Sequence, residues 1–263
     1  MGAGFGGTGG TVVLIGISFK TWFSHARTCD WLRAAAATAR RHPAVVSGRV
    51  RLFAMPQFPT IPAAVDIAAP AGIAVGAQDL AVHDDGPWTG EVSGAVLAEV
   101  GATMAVVGHA ERRAHFGETD DVVAAKTLAA LRNGLTPVLC VGEPERASPA
   151  RAADAVRAQV DSALAPARAG GREGPLVVAY EPVWAIGAPE PAPAAHVRAV
   201  GATLHAHVAD LPDAAVIYGG SAGPGLLPEI ADSIDGMFLG RFAHDPAALP
   251  TVLDEAAAVV GAR

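Results

Sequence analysis

Cysteine is nearly missing from these 263 residues. Cys29 and Cys140 are the only two, so neither a disulfide scaffold nor a zinc site of closely spaced thiols can be built from them. Two distant thiols suit a reducing compartment, and a cytoplasmic protein is expected. No apolar run is long enough to span a bilayer, so no membrane partner is expected. Residues 1–10 are Gly-rich and lack the charged and apolar regions of a signal peptide; they read as a flexible tail. Positive charge is also in deficit. The 19 Lys and Arg stand against 26 Asp and Glu, a formal charge of -7, which argues against a nucleic-acid backbone as the main partner. A small anion held in a local pocket remains compatible with that balance. Aromatic residues are few, while Ala and Gly are abundant, as suits helices packed closely on a sheet.

What is present is a regular alternation. Short apolar runs at 11–16, 50–55, 73–77, 104–107, 137–141, 176–180, 215–218 and 236–239 read as buried strands, apolar on both faces. Helical stretches are expected at 24–41, 61–68, 94–99, 120–133, 148–164, 194–209, 226–230 and 246–260, with Gly134 as a C-terminal cap. Residues 165–175 read as a Gly/Arg-rich connection. Strand–helix alternation implies parallel pairing through right-handed crossovers. Eight units in about 250 residues match the α/β architecture of a closed (β/α)8 barrel, a TIM barrel, formed as a single domain over 11–263. A doubly wound open sheet is the competitor. It usually carries a Gly-rich dinucleotide turn after its first strand, and Gly16-Ile17-Ser18-Phe19-Lys20 is not one.

The strand ends carry the chemistry. Val177-Val178-Ala179-Tyr180-Glu181 is a buried strand ending in a carboxylate, and Pro182 stops it. Lys20 follows the first strand, His109 the fourth, Ser221 the seventh and Gly240 the eighth. A barrel gathers all these ends on one face. There a carboxylate can abstract a proton beside a carbonyl, an imidazole and an ammonium can polarise the oxygen, and outward backbone N–H groups can hold a phosphate. Each residue alone also has a plain reading: a solvated lysine, a core histidine, a solvated strand-end glutamate. Glu111 with Arg112 and Arg113 could be a structural ion pair, and Cys140 a buried small residue. His25, His42, His196, His205 and His207 have no partner pattern and read as surface residues. No cluster of His and carboxylates has metal-ligand spacing, so no metal is expected.

With these residues in view, the chain resembles the triose-phosphate isomerase family over essentially its whole length after Gly10. Val107-Gly108-His109-Ala110-Glu111-Arg112-Arg113, Phe116-Gly117-Glu118 and Ala179-Tyr180-Glu181-Pro182-Val183-Trp184-Ala185-Ile186-Gly187 carry the resemblance. Tyr218-Gly219-Gly220-Ser221, Trp88-Thr89-Gly90-Glu91 and Val141-Gly142-Glu143 add to it. The resemblance implies a cofactor-independent isomerase of a small phosphorylated sugar. Glu181 is implied as the base and His109 as a neutral electrophile, a pairing known for the family. It implies Lys20 as the positive charge near the substrate, Glu111 and Ser18 as auxiliary residues, and Gly187, Ser221, Gly240 and Arg241 as phosphate contacts. Residues 182–192 are implied as a lid. A homodimer is implied through the loop between Gln78 and Trp88, with Asp84 near the position that usually enters the neighbouring subunit.

The departures surround the substrate. Ser18 stands where the family usually has asparagine, which shortens the side chain and replaces an amide by one hydroxyl. Beyond Gly187 the lid tip reads Ala188-Pro189-Glu190-Pro191-Ala192, where the family usually reads Gly-Thr-Gly-Lys-Thr-Ala. Pro189 has no N–H, so the usual latch from the Ser221 hydroxyl cannot form in the family's way. The two prolines stiffen the tip. Arg241 replaces a glycine of the phosphate pair. Serine in place of asparagine is similar to the branch that interconverts L-erythrulose 1-phosphate and D-erythrulose 4-phosphate, and this is the expected reaction. The alternatives are the triose phosphates, dihydroxyacetone phosphate and glyceraldehyde 3-phosphate, or a non-catalytic relative that binds sugar phosphates. A metal-dependent aldolase on the same barrel is a weaker reading.

Overall fold

Eight strands pair in parallel, each with the next, and β8 returns to β1 to close the barrel. The computed structural model describes residues 12–221 and 223–262, so the expected tail at 1–10 lies outside the described residues. The strands are β1 Val13–Ser18, β2 Val50–Met55, β3 Ile73–Ala77, β4 Met104–Val107, β5 Thr136–Val141, β6 Leu176–Tyr180, β7 Ala214–Tyr218 and β8 Gly236–Leu239. The helices are α1 His25–Ala39, α2 Pro43–Val46, α3 Ile61–Ala68, α4 Gly94–Glu99, α5 Ala110–Phe116, α6 Asp120–Arg132, α7 Pro149–Ala169, α8 Ala194–Val208, α9 Leu226–Ile230 and α10 Leu249–Ala262.

Period-2 alternation divides each strand between two cores. Leu14, Phe53, Met55, Met104, Val106, Val138, Cys140, Val177, Ala179, Ile217 and Phe238 fill the barrel interior. The intervening residues, such as Ile15, Ile17, Leu52, Val75, Val107, Val178 and Val216, pack outward under the helices. The interior is packed solid. The Phe53 ring lies where a side chain on Gly16 would have to be, and packs at a tilt against Phe238 at 5.6 Å between ring centres. A bulky floor of this kind leaves a ligand only the mouth of the barrel, above the strand ends.

Three expectations change. β1 runs on to Ser18 because Ile17 and Ser18 pair with Ala54 and Met55 of β2. α7 runs on to Ala169, through Pro166 and into the stretch expected as a connection. Its buried stripe of Val156, Val160, Ala163, Leu164 and Ala167 continues past the proline, and packing outweighs one missing N–H. α5 was unforeseen. His109 caps its N-terminus, and Gly117, left-handed at φ 68°, ends it. Among the described residues no helix is long and apolar enough to cross a membrane.

Candidate active site

A cavity of about 600 Å³ opens at the C-terminal ends of the strands. The structure brings every candidate site residue to its wall: Ser18, Lys20, His109, Glu111, Glu181, Gly187, Ser221, Gly240 and Arg241. Ser18 ends β1. His109 follows β4, Glu181 follows β6, and Gly240 follows β8. The barrel supplies the convergence, since these residues are far apart in the chain.

Glu181 is the most buried charged candidate, 4% exposed. Its Oε2 accepts no hydrogen bond among the described residues and faces His109 Nε2 at 3.5 Å. Its Oε1 lies against Gly219, where any side chain would collide with the carboxylate. That close approach is why glycine follows β7. Burial pushes the Glu181 carboxyl up to about 8; the nearby Lys20 charge opposes the rise and Glu111 adds to it.

The main-chain N–H of Glu111 donates to His109 Nδ1 at 3.1 Å. A main-chain nitrogen can only donate, so Nδ1 holds the lone pair and Nε2 carries the proton toward the cavity. Burial holds His109 down at about 4, with the Lys20 charge acting in the same direction. At neutral pH it is therefore an uncharged donor. Lys20 Nζ donates to Glu111 Oε1 at 2.5 Å. Burial raises the Glu111 carboxyl, but the hydrogen bond and charge of Lys20 outweigh it and hold the group below its usual range. Glu111 thus pairs with Lys20 and not with Arg112 or Arg113. Arg112 goes instead to Asp79 and Glu118, at 2.8 and 2.6 Å, and Arg113 to Asp120 at 2.7 Å. Lys126 bridges the same Asp79 and Glu118, both at 2.6 Å, and so braces the segment that carries His109.

The stretch 182–192 contributes Ile186, Gly187, Pro189 and Pro191 to the cavity wall. Gly187 sits at φ 73°, a conformation open to glycine at little cost. The Ser221 hydroxyl donates to the carbonyls of Ala185 and Ala188, at 3.0 and 2.8 Å. With no N–H on Pro189, the serine meets this stretch through acceptors. At the far end, Ala192 N donates to Tyr218 Oη at 3.1 Å.

Some residues differ from the sequence reading. His196 is not a surface residue: it is 9% exposed and bonds to Glu143 and Tyr180. Asp84 folds back on its own chain and accepts from Arg132 and Asn133 at 2.7–2.8 Å. His244, which the sequence did not single out, lines the cavity and packs edge-on against Phe23. Its only signal was position, four residues after Gly240.

A parallel eight-stranded barrel that gathers a buried carboxylate, a neutral imidazole and an ammonium at one mouth defines a class of proton-transfer enzymes on small anionic substrates. The chain matches the family described as triosephosphate isomerase over residues 13–256, and it belongs to that family. It is 49% identical to an L-erythrulose-1-phosphate isomerase of Pectobacterium atrosepticum, over 92% of this chain and 95% of the relative. It is 39% identical to an L-erythrulose-1-phosphate isomerase of Rhizobium etli, over 88% of each. A triosephosphate isomerase of a Synechococcus strain is 35% identical over 89% of this chain and 93% of the relative.

Proposed function

We propose that this protein isomerises a tetrulose phosphate, interconverting L-erythrulose 1-phosphate and D-erythrulose 4-phosphate without a cofactor. In the forward direction Glu181 removes the proton from the carbinol carbon beside the ketone. The electron pair moves into a carbon–carbon double bond, and the ketone oxygen becomes one oxygen of an enediolate. His109 Nε2–H donates to that oxygen and then takes the proton of the neighbouring hydroxyl. Glu181 returns its proton to the former ketone carbon, which leaves the carbonyl one carbon further from the phosphate. The Lys20 ammonium, held by Glu111, offsets the negative charge that develops on the oxygens. Gly187, Ser221, Gly240 and Arg241 hold the phosphate, with the Arg241 side chain adding a charge-assisted contact. The lid at 182–192 keeps water from the enediolate.

The observation that carries the acid–base reading is the pair Glu181 and His109, which face one cavity, where burial makes the ionised Glu181 a strong base and keeps His109 uncharged near pH 7. The four-carbon substrate is supported by Ser18, whose short side chain leaves room on the wall for a hydroxymethyl group, and by the 49% identical relative. The triose phosphates are the second reading, since the same atoms would serve a substrate one carbon shorter. Incubation in deuterium oxide tests the mechanism. Deuterium should enter the carbon beside the carbonyl of erythrulose phosphate; failure to exchange into either tetrulose or triose phosphates would falsify it.

We infer a cytoplasmic homodimer joined through the loop 78–88. Trp88, half exposed and stacked on His83 at 4.0 Å, supports this by offering a flat apolar surface on that loop. Sedimentation at micromolar concentration distinguishes dimer from monomer.

A further inference from the structure

One buried polar cluster takes no part in the chemistry above. Glu143 follows β5 and is 2% exposed. Its carboxylate accepts hydrogen bonds from Tyr180 Oη at 3.1 and 3.2 Å, from Trp184 Nε1 at 2.8 Å and from His196 Nε2 at 3.1 Å. Its main-chain carbonyl accepts from Val183 N at 3.0 Å.

These partners are not scattered. Tyr180 immediately precedes Glu181. Val183 and Trp184 form the first turn of the lid. His196 lies in the first turn of α8, the helix that receives the lid's other end. One buried carboxylate therefore holds both ends of the lid, and among the described residues His196 is its hydrogen-bond partner on the α8 side. The same Nε2 lies 3.0 Å from Tyr180 Oη. The tyrosine proton is committed to Glu143, so the imidazole presents its N–H to the two oxygens together.

We propose that His196 is a positioning residue: through Glu143 and Tyr180 it fixes the spacing between the two ends of the lid, so that the lid shields the enediolate. The proposal rests on the isomerase reading of the cavity. Shielding matters because an enediolate beside a phosphate-bearing carbon has a second fate. Its electron pair can shift toward that carbon, the carbon–oxygen bond breaks and inorganic phosphate leaves. The enol left behind gains a proton from water at its carbon, gives up its hydroxyl proton to water and becomes a dicarbonyl. A lid whose ends are held apart at the right distance suppresses this loss.

The test uses the full chain labelled with fluorotryptophan, with the Trp184 resonance assigned through Trp184→Phe, and the ratio of inorganic phosphate released to isomer formed. His196→Leu removes the N–H at similar bulk, whereas His196→Gln keeps an amide N–H within reach. His196→Leu should shift or broaden the Trp184 resonance and raise the phosphate ratio by about tenfold or more. His196→Gln should return both to within about twofold of the unmodified protein. The proposal is overturned if His196→Leu leaves both readouts unchanged, or if His196→Gln is as altered as His196→Leu. Should His196→Leu not fold, His196→Asn takes its place, because its shorter amide stops short of Glu143. If the unmodified protein turns over no sugar phosphate, the isomerase reading falls, and the Trp184 resonance by itself decides whether His196 ties the lid.

Discussion

Oε2 of Glu181 stands 3.5 Å from Nε2 of His109, buried and without a hydrogen bond among the described residues. The carboxyl is pushed up to about 8 and the imidazole down to about 4, in both cases first by burial. Once ionised, Glu181 is therefore a strong base beside a donor that carries no charge. An unsatisfied buried oxygen is costly in a fold, and its position at the cavity wall fits a group whose partner is a substrate proton.

Glu181→Gln removes the proposed base while keeping size and shape. Turnover of sugar phosphate should fall by roughly a thousandfold or more. Binding of inorganic phosphate, measured by calorimetry, should change little, because Gly187, Ser221, Gly240 and Arg241 are untouched. A variant that lost phosphate binding in parallel with turnover would point to collapse of the site and not to loss of a base.

The pH profile follows from the two titrations. Glu181 must be ionised to act, so kcat/KM should rise with pH and level off above about 8. His109 is already neutral above about 4, so it adds no limb in the neutral range. A profile flat from pH 6 to 9 would contradict the buried-base account.

The same shift carries a stability cost. A carboxyl raised from 4.5 to about 8 is protonated in the fold while it is ionised in the unfolded chain. The fold is therefore penalised progressively from about pH 4.5 to about 8, and the penalty is constant above that. Glu181→Gln should leave stability unchanged near pH 4 and raise it by on the order of a few kcal/mol at pH 8. Urea melts at the two pH values measure this. Equal gains at both would place the effect in packing.

Ser18→Asn restores the longer side chain usual in the family and fills the space beside the substrate. It should lower kcat/KM for erythrulose phosphate relative to dihydroxyacetone phosphate by roughly 10- to 100-fold, the scale at which a small apolar or steric change in a pocket discriminates. An unchanged ratio would move the specificity away from Ser18, with His244 and Arg241 the next wall residues to vary.

The parts of the molecule legible in the sequence were those set by local pattern. The apolar runs placed all eight strands, because a parallel barrel buries both faces of each. Their ends then pointed to Lys20, His109 and Glu181. Boundaries decided by packing were not legible. α7 passes Pro166 on the strength of a buried stripe, and β1 reaches Ser18 because β2 offers partners there. Residues whose environment is built from distant segments were hidden for the same reason. Nothing near His196 in the sequence announces Glu143, 53 positions away, so a buried histidine read as a surface one.

The most direct test of the central claim is a side-by-side measurement of kcat/KM on L-erythrulose 1-phosphate and dihydroxyacetone phosphate with the same preparation. A tetrulose-phosphate isomerase should favour the four-carbon substrate by about tenfold or more. Equal values, or a preference for the triose phosphate, would contradict it and leave the Glu181–His109 chemistry serving the shorter sugar.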